Sequence, residues 1–331
     1  MASIPTLREI LTAYEYRRQM SNSLSKFPTL LRLTLWLVIA ACAPLPNAQA
    51  ACNGPLAVQV LGSGGPIADD DDRASAAYLL WVAGKPRLLI DAGGGSFVRF
   101  GQSGADFTDL SAILLSHFHA DHAGELPSLL KSAWFGSRSA ALPIVGPSTG
   151  GSFPGLGDYL QALFGDKGAY AYLGNFLEGE GGSFVLTPIE VDIGQAGVQT
   201  VYHDGRMTVS ALPVPHGPVP ALAFRVEVGK RAIVFAGDQN GSDERFPGFA
   251  QGADLMVLHF AIPDDAGRVA RYLHATPLRL GQMAADSGAA SVVLSHIMQR
   301  AWVQRDTGIA SIRKYYQGPL SLAEDLACYP L

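Results

Sequence analysis

The stretch AILLSHFHADHAGEL, Ala112 to Leu126, places His117, His119, Asp121 and His122 within six consecutive positions directly behind an apolar run, in a chain with only eight histidines. Imidazole nitrogen and carboxylate oxygen are donors that Zn2+ and similar ions take, and a catalytic ion needs converging ligands with one position left open. Side chains of extended backbone repeat every two residues, so His117 and His119 point the same way, and Asp121 and His122 follow as the backbone turns toward a helix. One loop can therefore supply two ligands to each of two adjacent ions. A purely structural role would bury three histidines behind one strand, each needing a partner, so the frame His-x-His-x-Asp-His points to metal.

Two ions need more ligands than one loop carries. SALPVPHGP ends in His216, AIVFAGDQ in Asp238 and SVVLSHIMQ in His296, each an ionisable residue closing an apolar run. Taken singly, each reads equally well as a capping aspartate or a satisfied histidine. Taken together they supply what the loop lacks, because a strand end holds a ligand rigidly. Asp238 suits a bridging role, one oxygen per ion, as in two-metal hydrolases.

The elements that must position these residues are mostly strands. Short apolar runs recur at 56–62, 76–82, 86–93 and 111–117, and later in SFVLTPIEV, MTVSALPV, ALAFRVEVG, RAIVFAGD, DLMVLHF and SVVLSH. Helices are expected over about 123–135 and about 277–287, where Thr276 can cap and Pro277 suits the first helical position. Strands with interspersed helices suggest two packed sheets covered by helices rather than regular βαβ alternation. The segment 146–184, with Gly-rich edges GPSTGGSFPGLGD and GEGGSF, reads as a loose lid or a variable surface excursion.

Bulk composition bounds the rest. The chain has 331 residues, 48% apolar and 16% charged, enough for a sizeable core and compatible with one large α/β domain. LRLTLWLVIAACA (Leu31 to Ala43), followed by the small-x-small exit Ala48-Gln49-Ala50, reads as a signal peptide over 1–50 with Met20 as an alternative start, leaving a domain over 51–331. The expected location is periplasmic or secreted, with lipidation at Cys42 (IAAC) as the alternative and no transmembrane span in the mature form. Losing residues 1–50 removes five bases (Arg8, Arg17, Arg18, Lys26, Arg32) of 24 and two acids (Glu9, Glu15) of 29, leaving 19 against 27, a net of −8. Such a surface repels polyanions, so no nucleic-acid partner is expected. Cys52 and Cys328 then remain, and a bridge tying the two ends is expected.

SHFHADHAGEL, with LLIDAG (Asp91), His216, FAGDQ and LSHIMQR, resembles the metallo-β-lactamase superfamily over essentially all of 56–320. The resemblance implies an αββα sandwich of two mixed β-sheets flanked by helices, with a dinuclear site at one edge. It puts His117, His119 and His216 on one ion and Asp121, His122 and His296 on the other, with Asp238 bridging. Asp91 is then a supporting residue rather than a ligand. The ions implied are two divalent metals, Zn2+ first and Mn2+ or Fe2+ as alternatives.

VPHGPVPALAFRVE, HATPLRLGQMAADSGAASVVLSH and VLGSGGP look most like the ribonuclease Z branch, which includes type III arylsulfatases and phosphodiesterases. That implies His274 as proton donor or oxyanion partner, beside Asp121 as the residue orienting the nucleophile. Two departures stand out. HFAI (His259 to Ile262) occupies the place of His-Glu-Ala-Thr, so His259 is expected to pack or cap. Between 141 and 200 the only base is Lys167, against Asp158, Asp166, Glu178, Glu180, Glu190 and Asp192, and ADDDDR (Ala68 to Arg73) adds a further acidic run. The expectation is therefore an exported dinuclear metal-dependent hydrolase of small esters, a phosphodiester or sulfate ester, attacked by a metal-bridging hydroxide. Lactone or carboxylic-ester hydrolysis and a non-catalytic metal-binding protein are the alternatives; a homodimer is left open.

Overall fold

A computed structural model describes residues 52, 54–68, 72–179, 184–195 and 197–331. Residues 1–50, expected to be a signal peptide, and with them Cys42, lie outside the described residues.

The first sheet contains β1 (Leu56–Gly62), β2 (Ala77–Val82), β3 (Lys85–Ile90), β4 (Ala112–Leu114), β5 (Leu142–Pro147) and β6 (Leu186–Val191), with β14 (Cys328–Pro330) on its edge beside β1. The second contains β7 (Gln199–His203), β8 (Met207–His216), β9 (Val219–Val228), β10 (Arg231–Phe235), β11 (Leu255–His259), β12 (Val292–Ser295) and β13 (Leu320–Leu322), in the order β13-β12-β11-β10-β9-β8-β7. Each sheet joins an antiparallel part to a parallel part: β14-β1-β2-β3 and β7-β8-β9-β10 pair antiparallel, β3-β4-β5-β6 and β10-β11-β12-β13 parallel.

Alternation along the strands explains the layers. In β1, Val58 and Val60 face inward with Tyr78, Leu80, Phe224, Val226, Phe235 and Val257, while Ala57 and Leu61 belong to a second core under the helices of the first sheet. A third core lies between the second sheet and the helices Phe246–Phe249, Pro277–Asp286 and Arg305–Ile312. Both faces of each sheet are buried, so the strands read as near-continuous apolar runs. The architecture is the expected αββα sandwich. Thr276 accepts from Arg279 N at the start of Pro277–Asp286, with Pro277 at the first helical position. The helix expected over 123–135 is instead two pieces, Ala120–Ala123 and Leu126–Ala133.

Two expectations about the chain's periphery now have outcomes. Cys52 and Cys328 are disulfide-bonded with Cα atoms 5.7 Å apart, tying the start of the described chain to β14. The 146–184 segment, by contrast, is not a loose lid along its described length. It forms the helix Leu156–Phe164, a 3-10 turn at Ala171–Leu173 and a short helix Asn175–Glu178, and it buries Leu156, Leu160, Phe164, Leu173 and Phe176 in the outer core of the first sheet. Among the described residues no helix is long and apolar enough to cross a membrane.

Candidate metal centre

Strand ends build the site. β10, β11 and β12 run parallel and in register, Phe235 beside Val257 and His259 beside Ser295, so Asp238, His259 and His296 leave the same carboxyl edge of three neighbouring strands. The carboxyl ends of parallel strands are where α/β sheets place ligands. His216 closes β8, and His117 to His122 leave β4 of the opposite sheet. Two tight backbone positions fix that last loop. Ala92 N donates to His122 O at 2.6 Å, and a Cβ added at Gly93 would stand 2.0 Å from Asp121 O, so only glycine lets the two loops pass. Asp91 and His296 adopt left-handed backbone, φ 58° and 53°, which a non-glycine residue keeps only when its surroundings demand it.

Asp238 is the hub. Its Oδ2 lies 3.4 Å from His216 Nε2, 3.7 Å from His122 Nε2, 3.8 Å from His274 Nδ1 and 3.9 Å from His117 Nε2. Its Oδ1 lies 2.6 Å from His259 Nδ1 and 3.5 Å from His296 Nε2. Asp121 Oδ2 is 3.2 Å from His296 Nε2 and 3.5 Å from His122 Nε2, and His119 Nδ1 is 3.0 Å from His117 Nε2. Potential ligand atoms group as His117, His119, His216 and Asp238, as Asp121, His122 and His296, and as Asp238, His259 and His296. Of the eight histidines only His203, on β7, stands apart.

Two imidazoles show that this donor set fits a cation. His216 Nδ1 donates to Leu273 O at 2.8 Å and His122 Nδ1 to Asp91 Oδ2 at 2.8 Å, which leaves each Nε2 as the lone-pair nitrogen. Both Nε2 atoms are buried without a hydrogen-bond partner, and both face carboxylate oxygen. Such a contact is attractive only when a positive charge, a proton or a metal cation, sits between the nitrogen and the carboxylate. The electrostatics agree. Burial pushes His117 well below its ordinary value and lowers His119, so both are neutral donors. Burial also pushes Asp121 up, but His296 and His122 outweigh it and hold the carboxyl at about 2. For His122 burial pushes down, yet Asp91, Asp238 and Asp121 hold the imidazole up at about 9, a measure of how strongly this corner favours positive charge.

The sequence-derived set His117, His119, Asp121, His122, His216, Asp238 and His296 thus meets in one place. Asp91 sits behind His122 and also accepts from Ser116 N at 2.7 Å and Ser116 Oγ at 2.9 Å, the supporting part expected of it. His274 is buried beside the hub, and burial pushes it down to about 3. His259 packs, as expected, with its ring buried and stacked on His296, and in addition it holds Asp238 through Nδ1 at 2.6 Å. Its signal was available, since it closes the run DLMVLH as His296 closes SVVLSH. Next to His216 a cavity of about 480 Å³ follows β8 beyond its pairing with β7, lined by Pro213, Pro215, Pro220, Gly150 and Arg245. Proline has no N–H to offer a further strand, so the prolines keep this edge from being paired over.

Fold and site together define the class: residues 86–297 match the Beta-lactamase superfamily domain, and the chain belongs to the metallo-β-lactamase superfamily. Within it the chain is similar to Ribonuclease Z of Mycobacterium bovis (strain BCG / Pasteur 1173P2), 32% identical over 217 residues covering 63% of this chain and 71% of that protein. Ribonuclease Z of Mycolicibacterium paratuberculosis is 28% identical over 290 residues, covering 81% of this chain and 96% of its own. In three dimensions the short form of human tRNase Z matches with a TM-score of 0.64 at 21% identity, over 82% of this chain and 98% of that one.

These relatives correct the expected function and partner. The expectation of a small-ester hydrolase with a small-molecule substrate and no nucleic acid is overturned by relatives named Ribonuclease Z. The physical reason lies in the charge argument. Net charge is a sum over the whole surface and is screened within about 8 Å at physiological salt. It also counts Asp91, Asp121 and Asp238, which are buried and face imidazoles rather than an approaching phosphate.

Proposed function

We propose that the chain is a metal-dependent phosphodiesterase acting on RNA, with tRNA precursors as the substrate class. The observation that carries this reading is the pair of bare, buried Nε2 atoms of His122 and His216 aimed at one shared carboxylate, Asp238. The family resemblance supports His117, His119 and His216 around one cation and Asp121, His122 and His296 around a second, with Asp238 shared. The nitrogen-rich donor set suits zinc. Held there, divalent cations would stabilise charge on the phosphate oxygens and make a water more acidic; they would also turn this carboxylate-rich corner positive toward a polyanion.

The chain's own groups would do the rest. Asp121, ionised and 3.2 Å from His296 Nε2, would orient the attacking water. His274, neutral because burial pushes its imidazole down, would offer an N–H to a phosphate oxygen rather than deliver a proton from an imidazolium. The cavity along β8 leads to His216 and would take the nucleotide next to the cleaved bond.

The test uses zinc-loaded full-length protein and a labelled precursor tRNA. Cleavage at one position is expected, lost on chelation and on Asp238→Ala, and regained by the native protein on adding Zn2+. A protein that holds its metal yet cuts neither the precursor nor unstructured RNA would overturn the reading.

A further inference from the structure

We propose that His259 is a positioning residue that grips Asp238, fixing how the shared carboxylate presents its oxygens to the cation sites. The inference rests on the metal-centre reading above and concerns a residue outside the ligand set that reading uses.

The geometry separates His259 from His122 and His216. His122 and His216 each keep one bare nitrogen facing carboxylate oxygen. Both nitrogens of His259 are engaged instead: Nδ1 is 2.6 Å from Asp238 Oδ1, and Nε2 is 3.3 Å from the Tyr78 hydroxyl. An ionised carboxylate only accepts, so Nδ1 carries the proton and donates it. That leaves Nε2 as an acceptor, and the rotatable Tyr78 hydroxyl stands where it can satisfy it. Tyr78 Oη is in turn 2.9 Å from Ser295 Oγ, and Ser295 is the register partner of His259 across β11 and β12.

The grip is anchored on both sides of the interior. Tyr78 comes from β2 of the first sheet and His259 from β11 of the second. Tyr78 is 1% exposed and His259 6%, so no solvent replaces either bond. The His259 ring also stacks on the His296 ring, centroids 4.7 Å apart at 14°. One imidazole therefore sets the carboxylate orientation and backs a neighbouring ligand. Such outer partners of metal ligands typically change metal affinity by about 10–100-fold when removed. The residue after His259 is Phe260, buried against Gly308, so no carboxylate at that position helps to orient the centre.

The experiment measures Zn2+ affinity of the purified full chain by competition with a chromophoric chelator, and zinc content by elemental analysis. His259→Ala should bind zinc about 10–100-fold more weakly while reaching the native zinc content at saturation. His259→Asn, whose amide N–H can take the place of Nδ1–H, should recover most of the loss, and Tyr78→Phe should show a smaller one. If RNA is cleaved, kcat should fall with KM little changed. Native zinc affinity in both His259→Ala and Tyr78→Phe would overturn the proposal. So would loss of a whole zinc equivalent in His259→Ala that His259→Asn does not restore, since His259 would then be a ligand. Should His259→Ala fail to fold, His259→Asn and Tyr78→Phe carry the comparison: a small loss in each supports the grip, and none overturns it. The zinc readout needs no RNA, so an inactive native enzyme would sink the RNA reading while leaving this test standing.

Discussion

Asp91 Oδ2 stands 2.8 Å from Nδ1 of His122, and both side chains are buried. The carboxylate comes from the end of β3, the imidazole from the loop after β4, and Ser116 fills the remaining acceptor positions. The bond decides which nitrogen of His122 is free. Removing the carboxylate with Asp91→Ala strands Ser116 and His122 together. Urea unfolding of metal-free protein should show a loss of about 3–5 kcal/mol, and zinc affinity should fall by about 10–100-fold. Asp91→Asn keeps one acceptor and tolerates the left-handed backbone, so its stability loss should be smaller. Equal stability of all three proteins would refute the role.

Gly93 offers a steric test of the same loop. A methyl group there would press 2.0 Å from Asp121 O and 2.8 Å from Ser75 Cβ. The backbone of the ligand loop has to move to admit it, so Gly93→Ala should weaken zinc binding and lower stability by about 1–3 kcal/mol. Zinc competition and urea melts read both effects. An alanine accepted without change in either would mean that the close passage of the two loops is unimportant.

The Cys52–Cys328 bond joins residues 276 apart in sequence. Cross-links over long segments restrict the unfolded chain, and Cys52→Ser should cost about 2–4 kcal/mol of stability. Native and variant proteins should become equally stable in reducing buffer. The zinc content should not change, because neither cysteine is among the grouped donor atoms.

Asp254 carries a pH signature away from the metal centre. Burial pushes its carboxyl up, but the Ala232 amide, 2.8 Å from Oδ2, and the Arg231 guanidinium outweigh that and hold it below its ordinary value. A carboxylate whose folded value is depressed stabilises the protein above the unfolded value, about 3.9, and loses that contribution as pH falls through the folded one. Asp254→Asn should therefore be less stable than the native protein at pH 7, and the gap should close as pH falls below the unfolded value. A constant gap across that range would contradict the assignment.

What the sequence made legible was whatever a single element carries. Ionisable residues closing apolar runs identified His216, Asp238 and His296, since strand ends put side chains at a sheet edge whatever the topology. His259 obeys the same rule, but its purpose depends on a contact with Asp238 through space, 21 residues away, which no local pattern displays. The 146–184 segment misled through its glycines: they mark the turns at its edges, while Leu156, Leu160 and Phe164, spaced four apart, turn one helix face into the core. The exclusion of nucleic acid failed for a different reason, because a whole-chain charge sum does not report the field inside a cleft.

The ligand atoms come from both halves of the sandwich: the His117–His122 loop from one sheet, and His216, Asp238 and His296 from the other. His117 and His119 group with His216 and Asp238, and Asp121 and His122 with His296, so a cation held by either group would work as a clasp across the two sheets. A chain whose halves meet out of alignment would then be left empty-handed.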